Sequence, residues 1–225
     1  MLLISSDKFE THPVGAISLY LCYNFFAMRR FINLLLMMVI PVPFLCQAPD
    51  ANWKQPWQDA CEEAAIVMAM HYVNGTPLDR KVGRQEILSL VNFQIKKYGG
   101  HYDLTAQQSA QLIKDYYGYK NLEVSYNFLV EDIKKELDKG NLVIAPMAGR
   151  MLGNPYYTPP GPVYHYMLFK GYDDKRGEFI ANDAGTNRGK DYRYKYLTAF
   201  KAIHDWTGDK STIGRGKKAI LIIKK

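Results

Sequence analysis

From Cys61 to Tyr72 the apolar residues Ala64, Ala65, Val67, Met68 and Tyr72 recur largely at helical spacing, in a stretch dominated by Ala, Glu and Met. That pattern predicts a helix, and Asn74-Gly75-Thr76-Pro77 ends it. Asp59 stands where an N-cap belongs, with Glu62 and Glu63 in the first turn, where the positive end of the helix dipole favours acids. Cys61 then lies in that first turn. Arg84 to Tyr98 and Thr105 to Tyr117 predict two further helices, the second opened by a Thr cap and stopped by Gly118. "NFLVEDIKKELDKG" supplies a fourth, closed by Gly140.

The second half follows another rhythm. "NLVIAPM" (141–147), "VYHYMLFKGY" (163–172), "GEFIAND" (177–183) and "KKAILIIKK" (217–225) are β-branched or aromatic runs bounded by turns. Asp173-Asp174-Lys175-Arg176-Gly177 reads as a hairpin connection, and a helix near Leu197 to Trp206 interrupts the strands. Helices first and an antiparallel sheet afterwards predict an α+β domain rather than a doubly wound one. "AGRMLGNPYYTPPGP" (148–162) is too long for a simple connection, which marks it as the wall or lid of a site.

Before these elements comes an apolar segment of different character. "MRRFINLLLMMVIPVPFLCQAPD" from Met28 has two arginines, an apolar run to Cys46 and small residues around Ala48. This is the layout of a secretory signal peptide, residues 28–48, cleaved after Ala48. The run is shorter than the roughly 20 residues that span a bilayer, so membrane attachment is expected only if the leader is retained. Residues 1–27 read as an over-extended gene start, Met28 being a plausible initiator. The mature domain is then 49–225, exported to the cell envelope or beyond, with Cys61 its single cysteine. An exported chain with one thiol forms no internal disulfide, so that thiol is either buried and inert or kept for its chemistry.

Composition narrows the classes further. The 225 residues are 48% hydrophobic and 23% charged, as in an ordinary globular protein. The net charge of +7 is spread along the chain, with no basic arm, phosphate loop or paired Cys/His metal spacing. Nucleic acid is therefore not the expected partner, and a monomer is the expected state.

A thiol at a helix N-terminus feels a dipole effect of about 0.3 to 2 kcal/mol, so a strongly acidic thiol needs a nearby imidazolium as well. Asp59, Glu62 and Glu63 would oppose the thiolate if they faced it, so their side chains are expected to point away. Among the histidines after the leader, His71 is ten residues along the same helix, about 15 Å away. His101 follows Gly99-Gly100 in a loop, and His204 lies in the late helix. His165 sits inside an apolar strand, where a ring must be hydrogen-bonded, and Asp183 ends the next strand, where it could orient that ring. Gln55, six residues before Cys61, could supply an oxyanion donor beside the Cys61 N–H.

Gln55, Cys61 opening a long helix, His165 in "GPVYHYMLFKGYDD" and Asp183 in "FIANDAGT" together resemble the Gln, Cys, His, Asp order of papain-like cysteine peptidases. The likeness is to the bacterial branch containing the bacteriocin-leader (double-glycine) peptidases and their stand-alone relatives, family thirty-nine of the cysteine peptidases. It covers the chain from about Asn52 to the C-terminus. The resemblance implies a papain-like fold and hydrolysis of a peptide or protein substrate without a cofactor. Its roles would be Cys61 as nucleophile, His165 as base and then acid, Asp183 as orienter and Gln55 as oxyanion donor. The sequence departs from the leader-processing members at Glu62, where they usually have glycine, and no transporter is attached. Two other readings stay open: a cell-envelope amidase or transpeptidase using the same acyl chemistry, and a non-catalytic binding module.

Overall fold

Strands buried along their whole length need cover on both faces of their sheet, and the central strands here are of that kind. The computed structural model describes residues 38–225, in which the chain forms β1 (Met38–Val39), α1 (Cys61–Asn74), α2 (Arg80–Tyr98), α3 (Ala106–Tyr117), β2 (Leu122–Ser125) and α4 (Val130–Asp138). There follow β3 (Leu142–Ala148), β4 (Tyr164–Asp173), β5 (Glu178–Asp183), β6 (Tyr192–Lys195), α5 (Tyr196–Ala202) and β7 (Ile220–Ile223). The seven strands make one antiparallel sheet in the order β2-β7-β3-β4-β5-β6, with β1 paired to the end of β4. β3 is buried throughout and β4 nearly so. One face meets α1, where Met68 touches Asn182 of β5. The other meets α4, where Lys134 lies 5.0 Å above the ring of Tyr172. The α+β architecture expected from the sequence is the one observed.

α1 is the hub of the core. Every residue from Cys61 to His71 is buried, so the helix has no solvent face for most of its length. It ends at Gly75, which adopts φ +63° and closes the helix with hydrogen bonds to the carbonyls of His71 and Tyr72. Its start differs from the expectation. Asp59 belongs to a short 3-10 turn, Trp57–Asp59, and the N-cap is Ala60, which offers no side-chain bond. α3 does start as expected, with Thr105 and Gln108 closing a capping box.

Residues 38–48, assigned from the sequence to a leader that is removed, pack against the rest of the described chain. Ile40, Val42, Leu45, Cys46 and Ala48 are all buried in the same core as α1 and β4. Val39 pairs with Gly171, and a Cβ on Gly171 would meet the Met38 carbonyl at 2.1 Å, so this close approach requires glycine. Asn182 donates to the carbonyl of Pro43 at 3.1 Å. Leu45 fills the space beside Gly83 of α2. Among the described residues the packed core thus includes 38–48, and it contains Cys46 as well as Cys61, both as free thiols. Residues 40–46 of the apolar run are an extended, core-packed segment. The expected arginine-rich start of the leader and the expected over-extension, residues 1–27, lie outside the described residues. Among the described residues no helix is long and apolar enough to cross a membrane.

Candidate active site

Adjacent antiparallel strands bring His165 and Asp183 together. Asp183 lies opposite Met167 on β4, one step along the same face from His165. His165 Nε2 lies 2.8 Å from Asp183 Oδ1, and both side chains are buried. Four more donors converge on the carboxylate. The Gly185 N–H reaches Oδ1 at 2.9 Å, the Tyr157 and Tyr194 hydroxyls each reach Oδ2 at 2.6 Å, and Asn154 Nδ2 reaches it at 3.0 Å. Burial pushes the Asp183 carboxyl up, but the His165 charge and the hydrogen bonds from His165, Tyr157 and Tyr194 outweigh it and hold the group below its ordinary range. An ionised acceptor on Nε2 fixes that nitrogen as the N–H and leaves Nδ1 for proton exchange.

Space around this pair is tight. A Cβ at Gly185 would stand 2.9 Å from His165 Cε1 and 3.0 Å from Tyr157 Cε1. Tyr157 also meets the imidazole edge-on, with centroids 5.7 Å apart. It is carried by the Pro/Gly/Tyr-rich segment 148–162, which does form a wall of the site as its length suggested.

Cys61 stands at the first position of α1 and lines the same cleft of about 880 Å³ as His165. The cleft wall also includes Gln47, Asp103, Tyr156, Tyr157 and Lys210. Contrary to the expectation that the neighbouring acids turn away, Cys61 Sγ donates to Glu62 Oε2 at 3.0 Å. Burial first, then the charge and hydrogen bond of Glu62 and the charges of Glu63 and Asp103, push the thiol well above its ordinary range. Glu62 is itself pushed up, by burial and by Glu63, against hydrogen bonds from Cys61 and the Leu104 N–H.

Gln55 is not brought to this site. It is exposed, and its amide donates to Asp59 beside the 3-10 turn. The glutamine in the cleft is Gln47, buried at 4% exposure. Its N–H donates to the carbonyl of Ala184, next to Asp183, and its Nε2 lies 3.0 Å from the carbonyls of both Trp57 and Gln58. It ties the strand that carries Asp183 to the turn that precedes Cys61. Its place in a segment read as a leader is what hid it.

The other histidines are engaged elsewhere. His71 bonds Glu86 and Thr76, and His204 bonds the carbonyl of Gly216. His101 lies 3.2 Å from Glu63. Among the described residues no group of His, Cys, Asp and Glu is arranged to hold a metal ion.

The model of the Peptidase_C39 like family matches residues 39–212. Among solved structures, a crystal structure of a protein from Bacillus anthracis, provisionally described as a C39-like peptidase, is similar with a TM-score of 0.52 and 17% identity. The similarity covers 84% of this chain and 98% of that one, and at that identity it shows a shared fold. No curated protein matches the chain.

Proposed function

The chain belongs to the Peptidase_C39 like family, which supports a cysteine peptidase-like function, and from that premise we propose that it hydrolyses peptide bonds by acyl transfer through Cys61, His165 and Asp183. The observation that carries the reading is the cleft lined by both Cys61, at a helix N-terminus, and His165, whose imidazole is bonded to Asp183.

In this reading the Cys61 sulfur attacks the carbonyl carbon of the scissile amide, and His165 Nδ1 delivers a proton to the leaving amine. Asp183 stabilises the imidazolium and fixes its ring. The Cys61 N–H, one of the donors a helix start leaves without an internal partner, faces the developing oxyanion. Gln47 replaces Gln55 as the second donor, turning one of its amide hydrogens from a backbone carbonyl to that oxygen. Water, activated by the same imidazole, then releases the acid product. No step needs a cofactor.

The substrate is a peptide or protein lying along the wall that contains Tyr156 and Tyr157. Incubation of the purified protein with casein and a peptide library, read by mass spectrometry, tests this. Cleavage that disappears in Cys61→Ala and His165→Ala is expected. Release of amide-linked fragments from peptidoglycan, with peptides untouched, would move the activity to a cell-envelope amidase. One observation favours the non-catalytic alternative: the thiol is buried and hydrogen-bonded to a carboxylate. Binding of peptides without turnover, unchanged in Cys61→Ala, would establish that alternative.

A further inference from the structure

Glu62 is fixed at both oxygens. Oε1 accepts from the Leu104 N–H at 3.1 Å, and Oε2 accepts from Cys61 Sγ at 3.0 Å. It is 1% exposed, so water does not weaken the contact with the sulfur. A thiolate formed here would face an ionised carboxylate at hydrogen-bonding distance with no proton between them. The two groups therefore titrate as a pair.

The surroundings reinforce this. From α1 itself, Glu63 faces the pair, held by Gln94 of α2 and by His101. From the segment before α3 comes Asp103, with Asp59 of the turn before α1 acting on Asp103 in turn. β4 contributes the hydroxyls of Tyr164 and Tyr166, which donate to the Leu104 carbonyl at 2.7 and 2.9 Å. Asp205 lies beyond, accepting from the Ala106 N–H. The cations on this side are already engaged: His101 by Glu63, and Lys210 by Asp103 at 3.3 Å and Asp59 at 3.6 Å. His165 lines the same cleft as Cys61.

We infer that Glu62 gates the nucleophile: ionised, it holds the Cys61 proton and keeps the thiol unreactive, and on taking up one proton it becomes a donor that supports the thiolate. The inference rests on the reading of Cys61 and His165 as a catalytic pair. In the resting state one proton sits on sulfur and Glu62 is a carboxylate that accepts it. Solvent then supplies one proton to Glu62, and the S–H bond breaks as its proton moves to His165 Nδ1. The sulfur keeps the electron pair, and the neutral carboxyl donates to it. Burial and the charge of Glu63 raise the proton affinity of Glu62, which favours that uptake.

The test is the rate of Cys61 alkylation by iodoacetamide on the full chain between about pH 5 and 8, with modified peptides identified by mass. An ordinary thiol reacts faster as pH rises, in proportion to its thiolate. The gate predicts the opposite slope, a rise of at least about tenfold from pH 7.5 toward pH 5.5, since one proton uptake changes a population up to tenfold per unit. Glu62→Gln, whose amide is a permanent donor, should react at least about tenfold faster than wild type at pH 7.5, with a flat profile below it. A wild-type rate that rises steadily with pH overturns the gate without any variant. So does a folded Glu62→Gln, judged by its circular dichroism, that reacts no faster than wild type. Adding His165→Ala separates the two claims. If the fast reaction of Glu62→Gln persists without His165, the catalytic pairing and the proton transfer to His165 fail, while the control of the thiol by Glu62 stands. If His165→Ala alone abolishes labelling while Glu62→Gln changes nothing, the pairing stands and the gate fails.

Discussion

Two buried carboxylates flank the reacting groups, and they behave in opposite ways. Asp183 behind the imidazole is held below its ordinary range, and Glu62 beside the thiol is pushed above it. Burial is nearly the same, at 0% and 1% exposure, so burial does not decide the outcome. The donors do. Asp183 accepts from His165, Tyr157, Tyr194, Asn154 and the Gly185 N–H, whereas Glu62 accepts from one backbone N–H and a weakly donating thiol, with Glu63 alongside. One half of the site is built to keep a charge, and the other is built to hold a proton.

The harshest way to break this contrast is to remove the charge that is kept. Asp183→Asn leaves the donors facing an amide and should lower kcat by about 10⁴, by analogy with the loss of an orienting aspartate elsewhere. It should also lower stability by about 3 kcal/mol or more at neutral pH. The sign of the pH dependence follows from the depressed Asp183 value. The stabilisation is present above the usual carboxylate range and is lost as pH falls below about 4. The gap in unfolding free energy between wild type and Asp183→Asn, measured in urea, should therefore narrow in acid. A gap that widens in acid would contradict the assignment.

A smaller effect is expected across the cleft. Gln47→Ala should lower kcat by about 10² to 10³ while Gln55→Ala stays close to wild type, if an oxyanion donor is what is lost. Equal losses, or a loss only in Gln55→Ala, would return the role to Gln55. The same residue bears on where the protein starts. A chain beginning at Pro49 lacks β1, Gln47 and five buried apolar side chains, so it should fail to fold under conditions in which a chain beginning at Met28 folds. A thermal melt compares the two directly.

The smallest expected effect lies within the Asp183 network. Tyr157→Phe removes one hydrogen bond to an ionised carboxylate and leaves the donors from Tyr194, Asn154, Gly185 and His165. A loss of about 1.5 to 3 kcal/mol in stability is expected, together with a rise in the Asp183 pKa that carbon-13 NMR of the carboxyl would read.

What the sequence showed of this site follows from where each residue sits. Cys61, His165 and Asp183 lie on regular elements whose hydrophobic periodicity is plain, so their approach could be anticipated from a helix start and an antiparallel hairpin. Gln47 lies in an extended apolar stretch, which has the composition of a leader and no periodicity that reveals its partner, the carbonyl of Ala184. Gln55 had a plausible spacing, but the 3-10 turn from Trp57 to Asp59 leaves it on the surface. Glu62 and Glu63 read as first-turn acids turned away from the sulfur. They are buried because Leu104, Gln94 and His101 come from distant segments to meet them, and no local pattern encodes that. β2 and β6 are short and only partly buried, unlike the equally short but fully buried β7, so no apolar run marks them.

The central claim is that Cys61 and His165 act as one unit in the cleft. Its most direct measurement is labelling of the purified protein at about pH 5.5 with a thiol-reactive epoxide peptide, located by mass spectrometry, in wild type and in His165→Ala. The account predicts one label per chain, on Cys61, none on the buried Cys46, and loss of the label in His165→Ala. An unlabelled wild type, or equal labelling with and without the imidazole, would contradict it.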